Sequence, residues 1–519
     1  MSAAVAPRSF WDRPAFLAAI IVAVAIPLLL PPVPPLVDLP GHIARYYVEL
    51  NLDASPYLRR YYDFHWAPIG NLGVDLAIVP LAHLFGVELG AKLIVIAIPM
   101  MLAAGMLAVA RELHGRIPPT ALFALPLVYL WPFQFGFVNF ALSTALCFLA
   151  FALWLRLGRA GRTALRAALF VPAASLIWLA HTYGWGLLGV FCFSAETAAR
   201  RERGLGWPQA VIGGAIACIP LMLPFALMLL WRSGAVAGDT GDWNPTLKLN
   251  WLVSILREHF QAWDVASAAL IWAIVALAVL RIDLRLVPTA RIALLLLALL
   301  FVAIPRVLIG SGFADMRLAP VIAAIGLIGT TNAGGRLERH GGTIAAFAIA
   351  FLVARLAVTT VVFADLSRLW QRQLAAAEHI DRGSRVLVLA YSPCLNVWAN
   401  HRVDHVSSLA VPRREVFTNG QWALAGAQLL EVTYERGAPF VTDPSHLLRP
   451  PGCAEGPGKI LRAVDVLPQA FDYLWLVDVP RAYWPRDPRL VPVWQDETGV
   501  LYRSPRAPPA AVSRTPTAG

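Results

Sequence analysis

The sequence is a succession of long apolar runs, and this pattern constrains the fold more than any other feature. Each run approaches the roughly 20 residues that a helix needs to cross the hydrocarbon core of a bilayer. Hydrophobic residues make up 58% of the 519 residues and charged residues only 14%, against about 25% charged in an ordinary soluble domain. This composition excludes a soluble enzyme, a disordered regulator and a small disulfide scaffold. The expected spans cover residues 15–30, 90–110, 118–135, 137–155, 164–181, 183–199, 209–231, 263–280, 290–305, 317–332 and 343–363.

The sequence therefore predicts an α-helical polytopic membrane protein with about 11 transmembrane helices. The net charge of +11 does not indicate a nucleic-acid partner. The basic residues are scattered singly between apolar runs and form no stripe with interleaved aromatic residues. The expected partner is the membrane itself, with no nucleic acid.

The basic residues indicate which loops face the cytoplasm. Every short loop on one side carries arginine, whereas the opposite turns near Gln134 and His181 carry no Lys or Arg. Such an excess marks cytoplasmic loops, so the N-terminus is expected inside and the C-terminus outside. The pattern holds only if the apolar segment 72–86, interrupted by Asp75 and His83, lies at the interface. The first run ends in a Pro-rich stretch without a small-residue cleavage site, so it is interpreted as a retained helix.

Three long segments then face outward: residues 32–89, residues 232–262 and the tail from about 365. The tail alternates strand-like runs with turns. It predicts an extracytoplasmic, periplasmic α/β domain over 380–506, after a transmembrane domain over 1–365. Residues 507–519 are rich in Pro, Ala, Ser and Thr and are expected to be disordered.

Within the α/β domain, β-rich runs and turns predict individual elements. Cys394 and Cys453 lie in the same domain, and an oxidising compartment would allow them to pair. The sequence leaves both the paired and the unpaired state open. The expected strands are 386–390, 440–442, 471–477 and a closing hairpin of 491–494 with 500–503, and helix is expected near 420–432.

The first outer loop, 32–89, holds the most informative candidates. Asp38 follows closely on the first helix, and a helix starting near Pro40 would make it an N-cap. The functional alternative is a carboxylate that takes a proton from an acceptor hydroxyl, with His42 beside it. Arg45 and His65 in the same loop are candidates for binding a phosphate.

Further candidates lie at other outer turns and within one span. His181 is either an interfacial anchor or part of a cleft under Asp38. Arg317 either pairs locally with Asp315 or binds a lipid phosphate. Arg355 lies inside an apolar run, so it must face a partner or cavity, or else snorkel to the surface. It is a further candidate for binding the lipid phosphate.

The loop 232–262 and the tail offer weaker patterns. The stretch 251–260 has amphipathic spacing and is expected to lie on the surface. Asp239 with Asp242, or the group His401, Asp404 and His405, could bind metal, but each also fits a solvated polar surface. No metal ligand is assigned and no cofactor is certain, although a divalent metal is left open.

The layout resembles the GT-C membrane glycosyltransferases, which include the protein mannosyltransferases and the aminoarabinose transferases of lipid A. The resemblance rests on an acidic residue opening the first outer loop, an interfacial helix ending in Leu84-Phe85-Gly86, and a helix ending in Ala110-Arg111-Glu112-Leu113. It implies hexosyl or pentosyl transfer from a polyprenyl-phosphate-linked sugar to a lipid or glycan acceptor, at the outer face of a bacterial inner membrane. Asp38 matches the position of the family's base.

The sequence departs from the family at one point. Many members carry a second acid beside the first, whereas here Asp38 is followed by Leu39, Pro40, Gly41 and His42. Either His42 takes the partner's place, or the activity differs or is absent. The alternatives to an enzyme are a non-catalytic scaffold of an envelope polysaccharide machine and a lipid or solute transporter. A transporter would carry repeated halves, and none is visible in the sequence.

Overall fold

A computed structural model describes most of the chain. The predicted tail 507–519, His401 and Asp239 lie outside the described residues. These residues are 9–230, 240–308, 311–332, 339–394, 397–399, 402–424, 427–453 and 456–504.

The first three quarters of the chain are helical, as the apolar runs predict. Helices are joined by short turns, and the outward segments between them carry shorter helices. In chain order they are α1 Pro14–Ala23, α2 Ile26–Leu29, α3 Leu39–Asn51, α4 Gly73–Phe85, α5 Val87–His114, α6 Trp131–Phe135, α7 Val138–Arg159, α8 Thr163–Ala180, α9 Thr182–Glu202, α10 Trp207–Ala217, α11 Leu223–Leu230, α12 Pro245–Val253, α13 Gln261–Val279, α14 Pro288–Ala303, α15 Leu318–Ile328, α16 Gly341–Leu374, α17 Ala410–Arg414 and α18 Gly458–Ala470.

Several of these helices can cross a membrane. Among the described residues, five helical stretches are long and apolar enough: α5, α7, α8, α13 and the stretch Gly341–His379 that contains α16. The helices α1, α4 and α14 are apolar but shorter. The prediction of an α-helical polytopic membrane protein is confirmed. The helix α4 is about 20 Å long, shorter than the roughly 30 Å hydrocarbon core, and its interfacial position stays a prediction.

Proline interrupts three of the expected spans. The first run is split between α1 and α2, where Pro27 cannot continue the hydrogen-bond ladder. The run 118–135 is a buried 3₁₀-helix, Pro119–Tyr129, followed by α6. The run 209–231 is divided into α10 and α11 by a turn around Pro220. A simple count of apolar runs therefore overstates the number of continuous helices.

The last long helix connects the membrane part to the C-terminal domain. At 34 residues, α16 is about 51 Å long and exceeds the thickness of the hydrocarbon core. Trp370 near its end donates its indole N–H to the backbone oxygen of Arg402 at 2.7 Å. The helix thus enters the C-terminal domain directly rather than through a loop.

The C-terminal domain is built on one mixed sheet. Its strands lie in the order β5 (Phe417–Thr418), β4 (Arg385–Tyr391), β8 (Tyr473–Val477), β10 (Val500–Arg503) and β9 (Val491–Gln495), and β7 (Leu447–Leu448) also pairs with β4. The pair β4–β8 is parallel, and β8–β10 and β10–β9 are antiparallel. These strands confirm the expected runs 386–390 and 471–477 and the closing hairpin.

Two expectations for this domain are wrong. Residues 440–442 form turns rather than a strand, and the described part of 420–432 contains no helix. The helix is α18, whose Ile460, Ala463, Val464 and Leu467 are buried at the i, i+3, i+4, i+7 spacing typical of an amphipathic helix. Of the two states that the sequence leaves open for Cys394 and Cys453, the paired one is present, with a Cα–Cα distance of 6.2 Å.

The first outer loop belongs structurally to this domain as well. Its strand β1, Tyr62–Phe64, pairs antiparallel with β6, Leu430–Val432. Ala44 and Val48 of α3 share a hydrophobic cluster with Leu387 of the sheet. Apolar packing therefore fixes α3, and with it Asp38, against the C-terminal domain. The remaining strands, β2 Leu284–Leu286 and β3 Thr330–Asn332, pair on their own between membrane helices.

Candidate functional site

Asp38 lies at the start of α3, as the sequence predicts, but its side chain does not cap the helix. The residue occupies the N-cap position without a side-chain cap hydrogen bond. Its backbone N–H donates to the Phe135 oxygen at 3.0 Å, so the loop after α6 holds the backbone. Gly136 in this loop has φ of 108°, and a Cβ there would lie 2.7 Å from the Asp38 nitrogen. The carboxylate is left free for another task.

The C-terminal domain surrounds this carboxylate with titratable groups. Asp38 Oδ1 is 3.8 Å from His405 Nε2. Burial raises the pKa of Asp38 to about 7, and the negative charges of Asp443 and Asp404 add to the rise, whereas His405 and Arg317 oppose it. The acidic neighbours that the loop sequence lacks beside Asp38 are thus supplied from more than 360 residues further along the chain.

Arg317 occupies an aromatic cage near the same carboxylate. Its guanidinium carbon lies 4.7 Å from the ring centre of Phe137, 5.2 Å from Tyr183 and 5.8 Å from Phe140. It donates to Ser311 Oγ at 3.2 Å, and the expected local ion pair with Asp315 is absent from the described part of the chain. Asp315 instead binds Lys248 at 3.1 Å. Arg317 therefore lacks a carboxylate partner within salt-bridge distance among the described residues.

His42 lies one helical turn after Asp38 on α3 and is neutral. Its ring stacks on Tyr46 at 6.1 Å and meets Trp422 edge-on at 5.3 Å. Burial and then the charge of Arg45 hold the pKa of His42 well below its usual range. Its Nδ1 has no hydrogen-bond partner among the described residues. A neutral imidazole here can accept or donate one hydrogen bond but adds no charge to the site.

The structure places Arg45 and His65 away from any contact with Asp38. Arg45 is buried and binds Asp75 at 2.9 Å, whose Oδ2 also accepts from Asn139 at 3.1 Å. His65 is exposed and lies 3.1 Å from Asp63. A phosphate would have to displace Asp75 to reach Arg45, so the phosphate-binding role of both residues stays a prediction without supporting geometry.

Arg355 is held by carboxylates inside the helical part. Its Nη1 binds Asp264 Oδ1 at 2.7 Å, its Nη2 donates to the Leu256 oxygen at 2.8 Å, and Glu258 lies 3.6 Å away. Thr359 and Gln134 donate to the Glu258 carboxylate at 3.1 Å and 3.2 Å. Of the two expectations for Arg355, the partner is present and snorkelling is wrong. We call Arg355, Asp264 and Glu258 the Arg355 network.

His181 and the segment 251–260 also have structural roles. His181 Nδ1 accepts from the Tyr183 backbone N–H at 3.1 Å and thereby caps α9, with its ring 5.9 Å from Phe140. The expected surface helix over 251–260 is wrong, because α12 ends at Val253 and Glu258 is buried in the Arg355 network.

The residues brought together are therefore Asp38, Arg317 and His405, which we call the Asp38 cluster. The sequence points to His405 only as a member of the group His401, Asp404 and His405, which fits either a metal site or a solvated surface. The side chain of His405 is buried, and residues 402–405 form turns. Asp443 and His446, which lie next to His405, are missed by the sequence entirely. The signal that could have found them is a polar stretch, 443–446, inside an otherwise strand-rich domain.

The fold is similar to that of ArnT from Cupriavidus metallidurans. The apo crystal structure of ArnT matches with a TM-score of 0.52 and 13% identity, covering 94% of this chain and 97% of ArnT. The structure of ArnT bound to undecaprenyl phosphate matches with a TM-score of 0.50 and 13% identity, covering 95% and 98%. The predicted GT-C-like fold is thus confirmed. No protein-family model matches the sequence, and neither does any curated protein.

Proposed function

We propose that the protein is a membrane glycosyltransferase that takes a sugar from a polyprenyl-phosphate carrier at the outer face of the bacterial inner membrane. The observation that carries this proposal is the Asp38 cluster. The Asp38 carboxylate does not cap its helix, and it lies close enough to Arg317 for the two charges to interact. Arg317, inside its aromatic cage, has no carboxylate partner among the described residues. The ArnT crystal structure with bound undecaprenyl phosphate supports the choice of donor.

Asp38 would act as the general base. Its carboxylate is 15% exposed, so an acceptor hydroxyl can approach it. It would take the hydroxyl proton as the acceptor oxygen attacks the anomeric carbon and the bond to the polyprenyl phosphate breaks. General-base catalysis of this kind contributes about 10²–10⁴-fold. The alternative role of Asp38 as a helix cap gains no support, because its side chain makes no cap hydrogen bond.

Arg317 would hold the phosphate of the carrier. A guanidinium binds phosphate through charge-assisted, often bidentate hydrogen bonds, and the Arg317 Nε has no hydrogen-bond partner among the described residues. The rings of Phe137, Phe140 and Tyr183 fix the guanidinium plane without neutralising its charge. The phosphate would leave as a dianion beside this cation, which stabilises the developing charge.

The outer location rests on two features. Arginine-rich short loops favour an N-terminus in the cytoplasm, and the disulfide between Cys394 and Cys453 is typical of an oxidising compartment. Both are consistent with a periplasmic C-terminal domain, and hence with transfer on the periplasmic side.

The test uses envelope glycolipids of the native host. Mass spectrometry should show a sugar-modified lipid or glycan that is lost on deletion of the gene and restored by the wild type but not by Asp38→Asn. The Asp38→Asn protein should still bind undecaprenyl phosphate, as measured by native mass spectrometry in mild detergent. Full restoration by Asp38→Asn would contradict the role as base. Failure of the wild type to bind the lipid at all would favour a non-catalytic scaffold.

A further inference from the structure

Three ligand-type side chains of the C-terminal domain meet beside Asp38. His405, Asp443 and His446 each offer one ligand atom, and these atoms lie within 4.8 Å of one another. The Nδ1 of His446 is 3.4 Å from Asp443 Oδ1, and the two imidazole rings are 5.0 Å apart. We propose that these three residues bind one divalent transition-metal ion of the Zn²⁺ class.

His446 gives the strongest indication of a ligand. It is fully buried, yet neither ring nitrogen makes a hydrogen bond of normal geometry among the described residues; the nearest acceptors are the Asp443 carboxylate, 3.4 Å from Nδ1, and the backbone of Asp404. A buried polar group left without a partner costs about 1–3 kcal/mol, so native structures rarely keep one. Coordination of a metal by one ring nitrogen would satisfy it. The neighbouring Asp443 carboxylate, with 30% of its side chain exposed, can turn toward the same point.

His405 is already oriented as a metal ligand would be. Its Nδ1 lies 3.1 Å from the Gly420 carbonyl oxygen, and a carbonyl can only accept, so Nδ1 carries the proton. This leaves the lone pair on Nε2, which lies on the side of Asp38. A histidine ligand that donates its second N–H to a backbone carbonyl is the usual arrangement around bound metals.

The ligand set selects the metal class. Two imidazoles and one carboxylate suit Zn²⁺ and related borderline ions rather than Mg²⁺ or Ca²⁺, which take oxygen ligands. Bonds of about 2.0–2.2 Å place tetrahedral ligand atoms about 3.3 Å apart. The His446–Asp443 pair, at 3.4 Å, already matches this spacing. The widest pair, at up to 4.8 Å, has to close by about 1.5 Å when the ion binds.

The ion would lie close to the Asp38 cluster. With a metal–nitrogen bond of about 2 Å and 3.8 Å from His405 Nε2 to Asp38 Oδ1, the ion is within about 6 Å of the Asp38 carboxylate. All three ligands belong to the C-terminal domain, so the site does not depend on the proposed transfer reaction. The rival account of the same residues is an ion pair between protonated His405 and Asp38 with no metal.

Metal binding can be measured directly. The full-length protein, carrying no polyhistidine tag, is purified in mild detergent and treated with chelator. It is then titrated with Zn²⁺ by calorimetry and with Co²⁺ by visible absorption. We expect one ion per chain and a Co²⁺ spectrum of the intense, four-coordinate type. Absence of binding in the wild type would establish the ion-pair account and overturn the proposal.

Variants locate the site. His446→Ala and Asp443→Asn should each weaken Zn²⁺ binding by at least about 100-fold, because even indirect partners of a metal ligand are worth about 10–100-fold. His379→Ala removes an exposed histidine of the same half of the chain and should leave the affinity unchanged. Asp443→Asn is nearly isosteric and partly exposed, so it tests the site even if His446→Ala fails to fold. Unchanged affinity in folded Asp443→Asn would overturn the assignment.

Discussion

The Arg355 network and the Asp38 cluster are both groups of buried charges, but they differ in how completely those charges are paired. In the Arg355 network, all four carboxylate oxygens of Asp264 and Glu258 accept hydrogen bonds, and both Nη atoms of Arg355 donate, at 2.7 Å to Asp264 and at 2.8 Å to the Leu256 oxygen. In the Asp38 cluster, the Nε of Arg317 lacks a hydrogen-bond partner among the described residues, and the nearest titratable neighbour of Asp38, His405, is 3.8 Å away.

The difference separates structural from functional charge. A fully paired buried network stabilises one arrangement of helices and has no capacity left for a ligand. An incompletely paired cluster costs folding free energy, and proteins retain such costs at sites where a ligand completes the pairing. The sequence alone makes both Arg317 and Arg355 candidates for binding the phosphate. The carboxylate partners of Arg355 indicate a role in stability, whereas Arg317 remains available to bind a phosphate.

The largest expected effect is on the Arg355 network. Arg355→Met leaves Asp264 and Glu258 buried without their cation, and breaking a buried ion pair costs about 3–5 kcal/mol. We expect a large fall in thermal stability of the detergent-solubilised protein. The double variant Arg355→Met with Asp264→Asn removes one stranded charge and should recover part of the loss. Equal stability of wild type and Arg355→Met would show that the network is not structural.

A smaller effect of a different kind is expected at Arg317. Arg317→Ala should leave thermal stability nearly unchanged and weaken undecaprenyl phosphate binding by about 10–150-fold, because hydrogen bonds to a charged group are worth about 1.5–3 kcal/mol. Arg306→Ala is the matched control, since Arg306 lies in the same outer turn but is paired with Asp242 at 2.8 Å. A loss of stability in Arg317→Ala without a loss of lipid binding would place Arg317 with the structural charges.

The sequence predicts the first of these two regions better than the second. An arginine inside an apolar run predicts a partner, a cavity or snorkelling, and the contacts of Arg355 agree with the first of these. The apolar runs likewise predict the helical membrane part, and the short β-rich runs bounded by turns predict β4, β8 and the closing hairpin. Local patterns are sufficient for such elements because the residues that cause them are neighbours in sequence.

The Asp38 cluster depends on contacts between distant parts of the chain, and local patterns do not reveal these. The sequence predicts the N-cap position of Asp38. It does not reveal that His405, 367 residues further along, lies beside this residue. Nor does it reveal that Arg317 packs on the aromatic turn after α6 and so lies near the cluster. The 3₁₀-helix Pro119–Tyr129 is a different kind of miss. Its prolines are visible in the sequence and disfavour a continuous α-helix. The prediction of a membrane span follows instead from the length of the apolar run.

Gly136 allows the smallest and most selective test of how the Asp38 cluster is positioned. Its φ of 108° is unfavourable for any residue with a side chain, and a Cβ would press on the Asp38 backbone at 2.7 Å. Gly136→Ala should cost about 1–2 kcal/mol of stability and should reduce transfer further, because a displacement of about 1 Å at a reacting group can cost about 10²-fold.

Gly115→Ala provides the matched control for Gly136→Ala. Gly115 also has a positive φ, of 73°, but nothing lies within 4 Å of the position where a Cβ would be added. It should therefore show a comparable loss of stability from backbone strain with transfer activity retained. Glycolipid analysis and thermal unfolding of both variants separate the two effects. Equal loss of transfer in the two variants would mean that general destabilisation, and not the position of Asp38, limits the reaction.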